Sequence, residues 1–203
     1  TITSGAPMIT DVYPAAGVSR EELLMKAYAI ESKSEHPLAK AVIAGVENEE
    51  SLLAKAKLLG TVEDFSAVPG SGLAGSLGGT GIYGGNAGFI ENVLGEAGEP
   101  AVNALNEAVK VADSFSEEGK TALFFAEKDR LLGIIAVADV IKTDSPEAVR
   151  QLKNMGIHVV MLTGDNEKTA RTIGTQAGVD EVIAGVLPDE KAEAVGRVKS
   201  RGK

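Results

Sequence analysis

Ile157-His158-Val159-Val160-Met161-Leu162, followed without a break by Thr163-Gly164-Asp165-Asn166, is the stretch that decides the fold. A short, nearly continuous apolar run stopped by turn residues reads as a buried strand of a parallel sheet. Upstream, Asp144-Ser145-Pro146-Glu147 opens a helix, with Pro146 near the first helical position and Gly156 at its end. Downstream, 167–177 reads as a helix stopped by Gly178, 181–184 as a short strand and 188–199 as a last helix. This αβαβα order predicts a doubly wound parallel sheet, a fold whose ligands bind at the carboxyl ends of the strands.

The first 138 residues follow a different rhythm. Residues 1–12 read as an extended lead-in broken by Gly5 and Pro7. Ser19-Arg20-Glu21-Glu22 is a capping-box pattern, and Leu23, Leu24, Ala27 and Ile30 follow at helical spacing. A second helix is expected from Pro37, with Ser34 or Glu35 near its cap and Leu38, Ala41, Val42 and Val46 on one face. Strand-like pieces are expected at 58–62 and 65–68, and two more at 73–77 and 81–83 within the glycine-rich stretch 69–88. A helix over 101–117 and strands over 121–126 and 131–138 complete this part, the strands joined by the polar turn Glu127-Lys128-Asp129-Arg130.

Composition narrows the function. The formal net charge of −9 sits wholly in residues 1–138, since residues 139–203 hold ten basic and ten acidic side chains. That asymmetry points to two modules and argues against a nucleic-acid partner, which would need a basic face. With no cysteine and only His36 and His158, no disulfide framework or thiolate metal site is available. No apolar run approaches the roughly 20 residues of a membrane span, and the amino terminus lacks a signal-peptide pattern, so a soluble chain is expected.

Several residues carry candidate chemistry, each with a plainer alternative. Thr163-Gly164-Asp165, at the end of a predicted strand, offers a hydroxyl and backbone N–H groups to phosphate oxygens, or is simply a good turn. Lys191 can supply a point charge to the same phosphate or be a solvated surface lysine. Gly70-Ser71-Gly72-Leu73-Ala74-Gly75 fits G-x-G-x-x-G, but an extended segment and more glycines follow it, so it is no dinucleotide fingerprint. What remains is a loop able to approach a ligand closely, or a plain glycine hairpin. Gly119-Lys120-Thr121 lacks the earlier glycine of a P-loop, because position 114 is Ser114. Glu31 could accept from an amine and His36 could stack on or hydrogen-bond a planar base, yet alone they describe only a polar patch. Asn86, after Gly84-Gly85, suits a ligand hydrogen bond or a left-handed turn.

Ser34-Glu35-His36-Pro37-Leu38, followed far downstream by Thr163-Gly164-Asp165-Asn166 with the glycine-rich loop between them, resembles the cytosolic ATP-binding and phosphorylation region of heavy-metal-transporting P-type ATPases. The resemblance covers nearly the whole chain and is strongest with the copper branch. It implies a haloacid-dehalogenase-like doubly wound sheet, the phosphorylation domain, at 1–13 and 139–203. An α+β nucleotide-binding domain on an antiparallel sheet would be inserted at 14–138. By the same resemblance Glu31, His36, Gly70, Gly72, Gly85 and Asn86 line an ATP site, with Glu31 and His36 near the adenine. Thr163, Gly164, Asp165 and Lys191 look like the phosphate-holding groups. The implied ligands are ATP and, in an intact pump, Mg²⁺. The implied partners are transmembrane and actuator domains, on the cytosolic side of a membrane, with the piece itself a monomer. The family's Asp-Lys-Thr-Gly-Thr and Gly-Asp-Gly-x-Asn-Asp motifs do not occur, so ATP binding without turnover is expected. A soluble haloacid-dehalogenase-like phosphatase and a non-catalytic nucleotide-binding module are the alternatives.

Overall fold

The computed structural model describes residues 2–95, 97–163, 167–186 and 195–196. The chain divides into two compact units, one of Thr1–Ser4, Glu117–Gly119 and Ile141–Lys203, the other of Gly5–Ser116 and Lys120–Val140.

The larger unit is built on a six-stranded sheet. Its elements are β1 (Thr3–Pro14), α1 (Arg20–Glu31), α2 (Pro37–Glu47), α3 (Glu50–Leu58), β2 (Glu63–Val68) and β3 (Gly72–Leu77). They continue with β4 (Thr80–Gly85), α4 (Ala87–Leu94), α5 (Glu99–Glu117), β5 (Thr121–Glu127) and β6 (Arg130–Ile141). The strand order is β1-β6-β5-β4-β3-β2, and β2 to β6 pair antiparallel in that succession. The β3–β4 hairpin turns through Gly78-Gly79 with φ of 57° and 78°, the two left-handed positions that a two-residue turn of matching twist requires.

Helices cover both faces of the sheet. Leu23, Ala27 and Ile30 of α1, Val42 and Val46 of α2, and Leu52 and Ala56 of α3 pack with Phe125 and Ile135. Ile90 and Leu94 of α4 and Leu105 and Ala108 of α5 pack with Phe124 and Ile134 on the other side. Neighbouring residues therefore point to opposite cores, as the period of two demands. In β6 that phase is reset. Leu132 faces the first core and Ile134 the second, although both are even-numbered, because the register shifts there. Gly133, at φ 140°, absorbs the irregularity.

The helix starts follow local chemistry. Ser19 accepts from the Glu22 amide at 3.0 Å, as the capping pattern predicts. For α2 the cap is His36 rather than Ser34 or Glu35, since its ring Nδ1 accepts from the Leu38 amide at 3.2 Å. Ser34 instead accepts from the His36 amide, one step upstream. Helix α3, absent from the sequence reading, ends at Leu58, and the strand expected over 58–62 does not form: residues 59–62 are turn and coil leading into β2. Only Leu52 and Ala56 of α3 are buried, one turn apart, so its apolar stripe is too narrow to reveal the period. Helix α4, also absent from the sequence reading, begins at the Asn86 cap.

In the smaller unit, α6 (Ser145–Asn154), β7 (Val160–Leu162), α7 (Glu167–Ala177) and β8 (Glu181–Ile183) follow the predicted alternation. Strands β7 and β8 pair in parallel. Ser145 Oγ donates to the Ile2 carbonyl at 2.8 Å and ties the start of α6 to the chain's first residues. The helix expected over 188–199 lies almost entirely outside the described residues.

A methyl group at Gly133 would stand 2.4 Å from the Tyr13 carbonyl oxygen and 2.8 Å from Pro14 Cα, both backbone atoms. Gly133→Ala is therefore expected to lower the unfolding free energy by roughly 2–4 kcal/mol, from left-handed strain plus overpacking, measurable by urea denaturation.

Candidate functional site

A cavity of about 390 Å³ opens in the larger unit, where the end of α1, the start of α2, the β2–β3 turn, the end of β4 and the start of β5 converge. Glu31, His36, Gly70, Gly72, Gly85 and Asn86, far apart in sequence, all line it. Leu38, Leu73 and Leu123, each partly buried against the first core, supply apolar wall. The leucines and Thr121 were not recognised as site residues, because a half-buried leucine carries the same alternation signal as a core one. Among the described residues no lysine or arginine lines the cavity.

Glu31 is the unusual member. It closes α1 with only 5 % of its surface exposed, and no ion pair or side-chain hydrogen bond holds it among the described residues. Gly84 makes room for it: a methyl there would lie 3.7 Å from Glu31 Oε1 and 2.9 Å from the Phe125 ring. Burial without a partner disfavours the charged form and pushes the carboxyl up to about 7.

His36 and Asn86 serve the fold as well as the cavity. With Nδ1 accepting the Leu38 amide proton, a neutral His36 ring carries its own proton on Nε2, leaving that N–H to meet a ligand. Asn86 sits at φ −77°, so it is a helix cap and not the left-handed turn considered above. Its Oδ1 accepts from the Phe89 amide at 2.9 Å and its Nδ2 donates to the Gly70 carbonyl at 3.1 Å. Its backbone amide donates to the Ser71 carbonyl. One side chain thereby pins the glycine turn to the start of α4.

The glycines divide by cause. Gly70 follows Pro69 at φ 72°, with the Ser71 amide donating to the Val68 carbonyl, which is a type II turn needing glycine for its backbone. Gly72 and Gly85 lie opposite each other on β3 and β4, and a methyl on either would strike backbone and the Phe89 ring within 3 Å. They are small because strand and ring are close, whatever enters the cavity.

The remaining candidates fall elsewhere. Thr163, in the smaller unit, follows β7; its amide donates to Ile183 and its carbonyl accepts from Val186, each at 3.0 Å. Gly164, Asp165 and Lys191 lie outside the described residues. Lys120 pairs with Asp11 at 2.7 Å, and its Nζ stands 5.4 Å from the centre of the Phe115 ring. Burial pushes the Asp11 carboxyl up, but the hydrogen bonds from Lys120 and Thr10 and the Lys120 charge outweigh it and hold it low.

A chain with this pairing of a parallel β7–β8 unit and a larger antiparallel unit matches the haloacid dehalogenase-like hydrolase family over residues 1–203, and it belongs to that family. Within it, the chain is 36% identical over its whole length to copper-transporting ATPase 1 of Rhizobium meliloti, covering 23% of that protein. It is likewise 36% identical to the copper-exporting P-type ATPase of Bacillus subtilis, covering 24% of it. The chain thus spans about a quarter of the length of these relatives. The crystal structure of a zinc-transporting PIB-type ATPase in its E2.Pi state superposes over 99% of this chain and 30% of the pump, with a TM-score of 0.79 and 31% identity. The resemblance to heavy-metal P-type ATPases therefore runs from end to end of the chain.

The Glu31 carboxyl makes stability depend on pH. The folded chain keeps this proton up to about pH 7, whereas an exposed glutamate loses it near 4.5. Between those values the folded state holds more protons than the unfolded one, so stability falls as pH rises through the window. Glu31→Gln is expected to be more stable than the original chain at about pH 8, by up to ~3 kcal/mol, with the gap closing at about pH 4. Urea denaturation of both proteins at the two pH values measures it.

Proposed function

We propose that the larger unit is the ATP-binding domain, and the smaller one part of the phosphorylation domain, of a P-type ATPase that moves a soft metal ion, copper, across a membrane. One observation carries this reading: the six residues that the resemblance assigns to an ATP site surround one cavity. The whole-length similarity to copper pumps supports it.

Each group then has a chemical task. Leu38, Leu73 and Leu123 offer a purine an apolar wall, and the Glu31 carboxyl accepts from its exocyclic amine. His36 stacks on the base or donates to it from Nε2. Asn86, Gly72 and Gly85 keep the turn at Gly70 in place. None of the described lining residues is a lysine or arginine, so charge compensation is assigned to Lys191, and the Thr163 hydroxyl and the backbone N–H groups of Gly164 and Asp165 are assigned to hold phosphate oxygens. They would position the γ-phosphoryl group for transfer to an aspartate of the pump, whose aspartyl phosphate drives metal movement.

Mg²⁺ would travel with the phosphates, as this ion usually does. Among the described residues no group of three potential metal ligands stands ready for it. No described helix is long and apolar enough to cross a membrane, so the transmembrane and actuator partners belong to the proposed pump outside this stretch.

ATP titration followed by amide chemical shifts tests the assignment. Shifts should concentrate at Ser34–Leu38, Gly70–Leu73 and Gly84–Asn86. His36→Asn keeps a good helix cap but removes the ring, so it should weaken ATP binding about tenfold, the worth of one base–aromatic contact, with little change in stability. Undiminished affinity, or shifts clustered away from these segments, would refute the site.

A further inference from the structure

Resting on the reading that the cavity receives a nucleotide, we propose that Glu22, Lys26, Glu127 and Arg130 are positioning residues for it. Together they fasten α1 to the β5–β6 turn and so set where the far end of α1 stands over the sheet. The four side chains close a ring of alternating charge. Lys26 Nζ lies 2.9 Å from Glu22 and 2.7 Å from Glu127, while Arg130 meets Glu22 and, at 2.8 Å, Glu127. Only 14 % of the Lys26 side chain and 17 % of that of Glu127 are exposed, against 45 % to 56 % for the two other ion pairs of α1. Hydrogen bonds from Lys26 and Arg130 hold the Glu22 carboxyl below the usual range. At Glu127 burial pushes the carboxyl up, but the same two cations outweigh it and hold it low. Isolated exposed pairs contribute little, whereas here each charge meets two partners and two of the four are shielded from solvent.

The ring lies at one end of two elements whose other ends border the cavity. Helix α1 runs from Glu22 and Lys26 to Glu31, about 8 Å beyond Lys26 at the rise of a helix. Strand β5 runs from Thr121, Ala122 and Leu123 at the cavity to Glu127, about 13 Å beyond Leu123 in an extended strand. Beside it Glu127 pairs with Ile82 of β4, whose Gly84 and Gly85 also line the cavity. Helix and sheet are therefore tied at one end, and the space a ligand would enter separates them at the other. The core contacts of Leu23, Leu24, Ala27 and Ile30 hold α1 down, but burial is non-directional and does not by itself fix the helix's tilt. The other ion pairs of α1, Arg20 with Glu49 and Glu21 with Lys55, lead to α3 and the residue before it, so they tie helix to helix. The ring ties helix to sheet. None of its four residues lines the cavity, so they act through α1.

The test compares the full 203-residue chain with Lys26→Met, which keeps a long apolar stem without the charge, and with Lys26→Arg, which restores it. Lys55→Met is the control: it removes one positive charge from the α1–α3 pair and leaves the ring whole. ATP affinity is read by calorimetry on variants that urea denaturation shows to be fully folded. Lys26→Met should weaken ATP binding about fivefold, Lys26→Arg should recover most of the loss, and Lys55→Met should leave affinity unchanged. Amide shifts of the nucleotide-free chains give a second reading. In Lys26→Met they should move at Ser34, Gly84–Gly85 and Thr121–Leu123 as well as around the ring, and in Lys55→Met they should not. Glu127→Gln, nearly isosteric, supplies both readings should Lys26→Met fail to fold. Shifts confined to 20–28 and 126–131 with unaltered affinity would overturn the proposal, because the ring would then serve stability alone. An equal loss in Lys55→Met would overturn it as well, since net charge would be the cause. An ATP-shift map of the original chain separates this from failure of the site. ATP shifts at the cavity with affinity unaltered in Lys26→Met reject the ring's role alone, whereas ATP shifts elsewhere reject the ATP site and the proposal together.

Discussion

The central strands of the larger unit are buried on both faces, and everything else in that unit is arranged around this constraint. Residues 131–137 of β6 are buried without exception, and Phe124 and Phe125 of β5 send their rings into opposite cores. A strand in that position has no room for a polar side chain, so polar groups gather at the strand ends and at helix termini. That is where the candidate site lies. Glu31 ends α1, His36 starts α2, Asn86 starts α4, and Gly84 and Gly85 end β4. The cavity is a consequence of where backbone stops being paired with backbone.

The same constraint explains why residues that face the cavity also hold the fold. His36 and Asn86 cap helices with the atoms a ligand would otherwise compete for, and Gly72 and Gly85 admit the Phe89 ring. A substitution at any of these positions mixes two effects, loss of a contact and loss of the frame that presents it. Glu31 differs. Among the described residues no ion pair or side-chain hydrogen bond holds its carboxyl, and burial makes its charged form costly.

Much of this was legible in the amino-acid sequence because local chemistry and tertiary outcome agree. Ser19 caps α1, the apolar spacing of Leu23, Leu24, Ala27 and Ile30 gives its buried face, and Asp144 to Glu147 opens α6. Strands β7 and β8 and the helix between them fall where their periodicity puts them. Two helices escaped. In α3 the buried stripe is two residues wide, and α4 lies just beyond a run of glycines that masks helix formation. The site was visible through its motif residues, but its apolar wall was not. Leu38, Leu73 and Leu123 become wall only when α2, β3 and β5 meet, and no spacing along the chain encodes that meeting. That no described side chain pairs with Glu31 was equally invisible, since pairing is a property of the assembled neighbourhood.

One small irregularity has a larger reach than its size suggests. Strand β2 is one of the two edge strands of the sheet, mostly exposed, and slips register between Glu63 and Ser66, with Asp64 held at φ 49°. A straight, unguarded rim there would present a row of amides and carbonyls on which another copy of the chain could deposit its own backbone. The kink and its two carboxylates interrupt that template. Deleting the extra residue would tidy the ladder while turning the rim into a nucleus for aggregation.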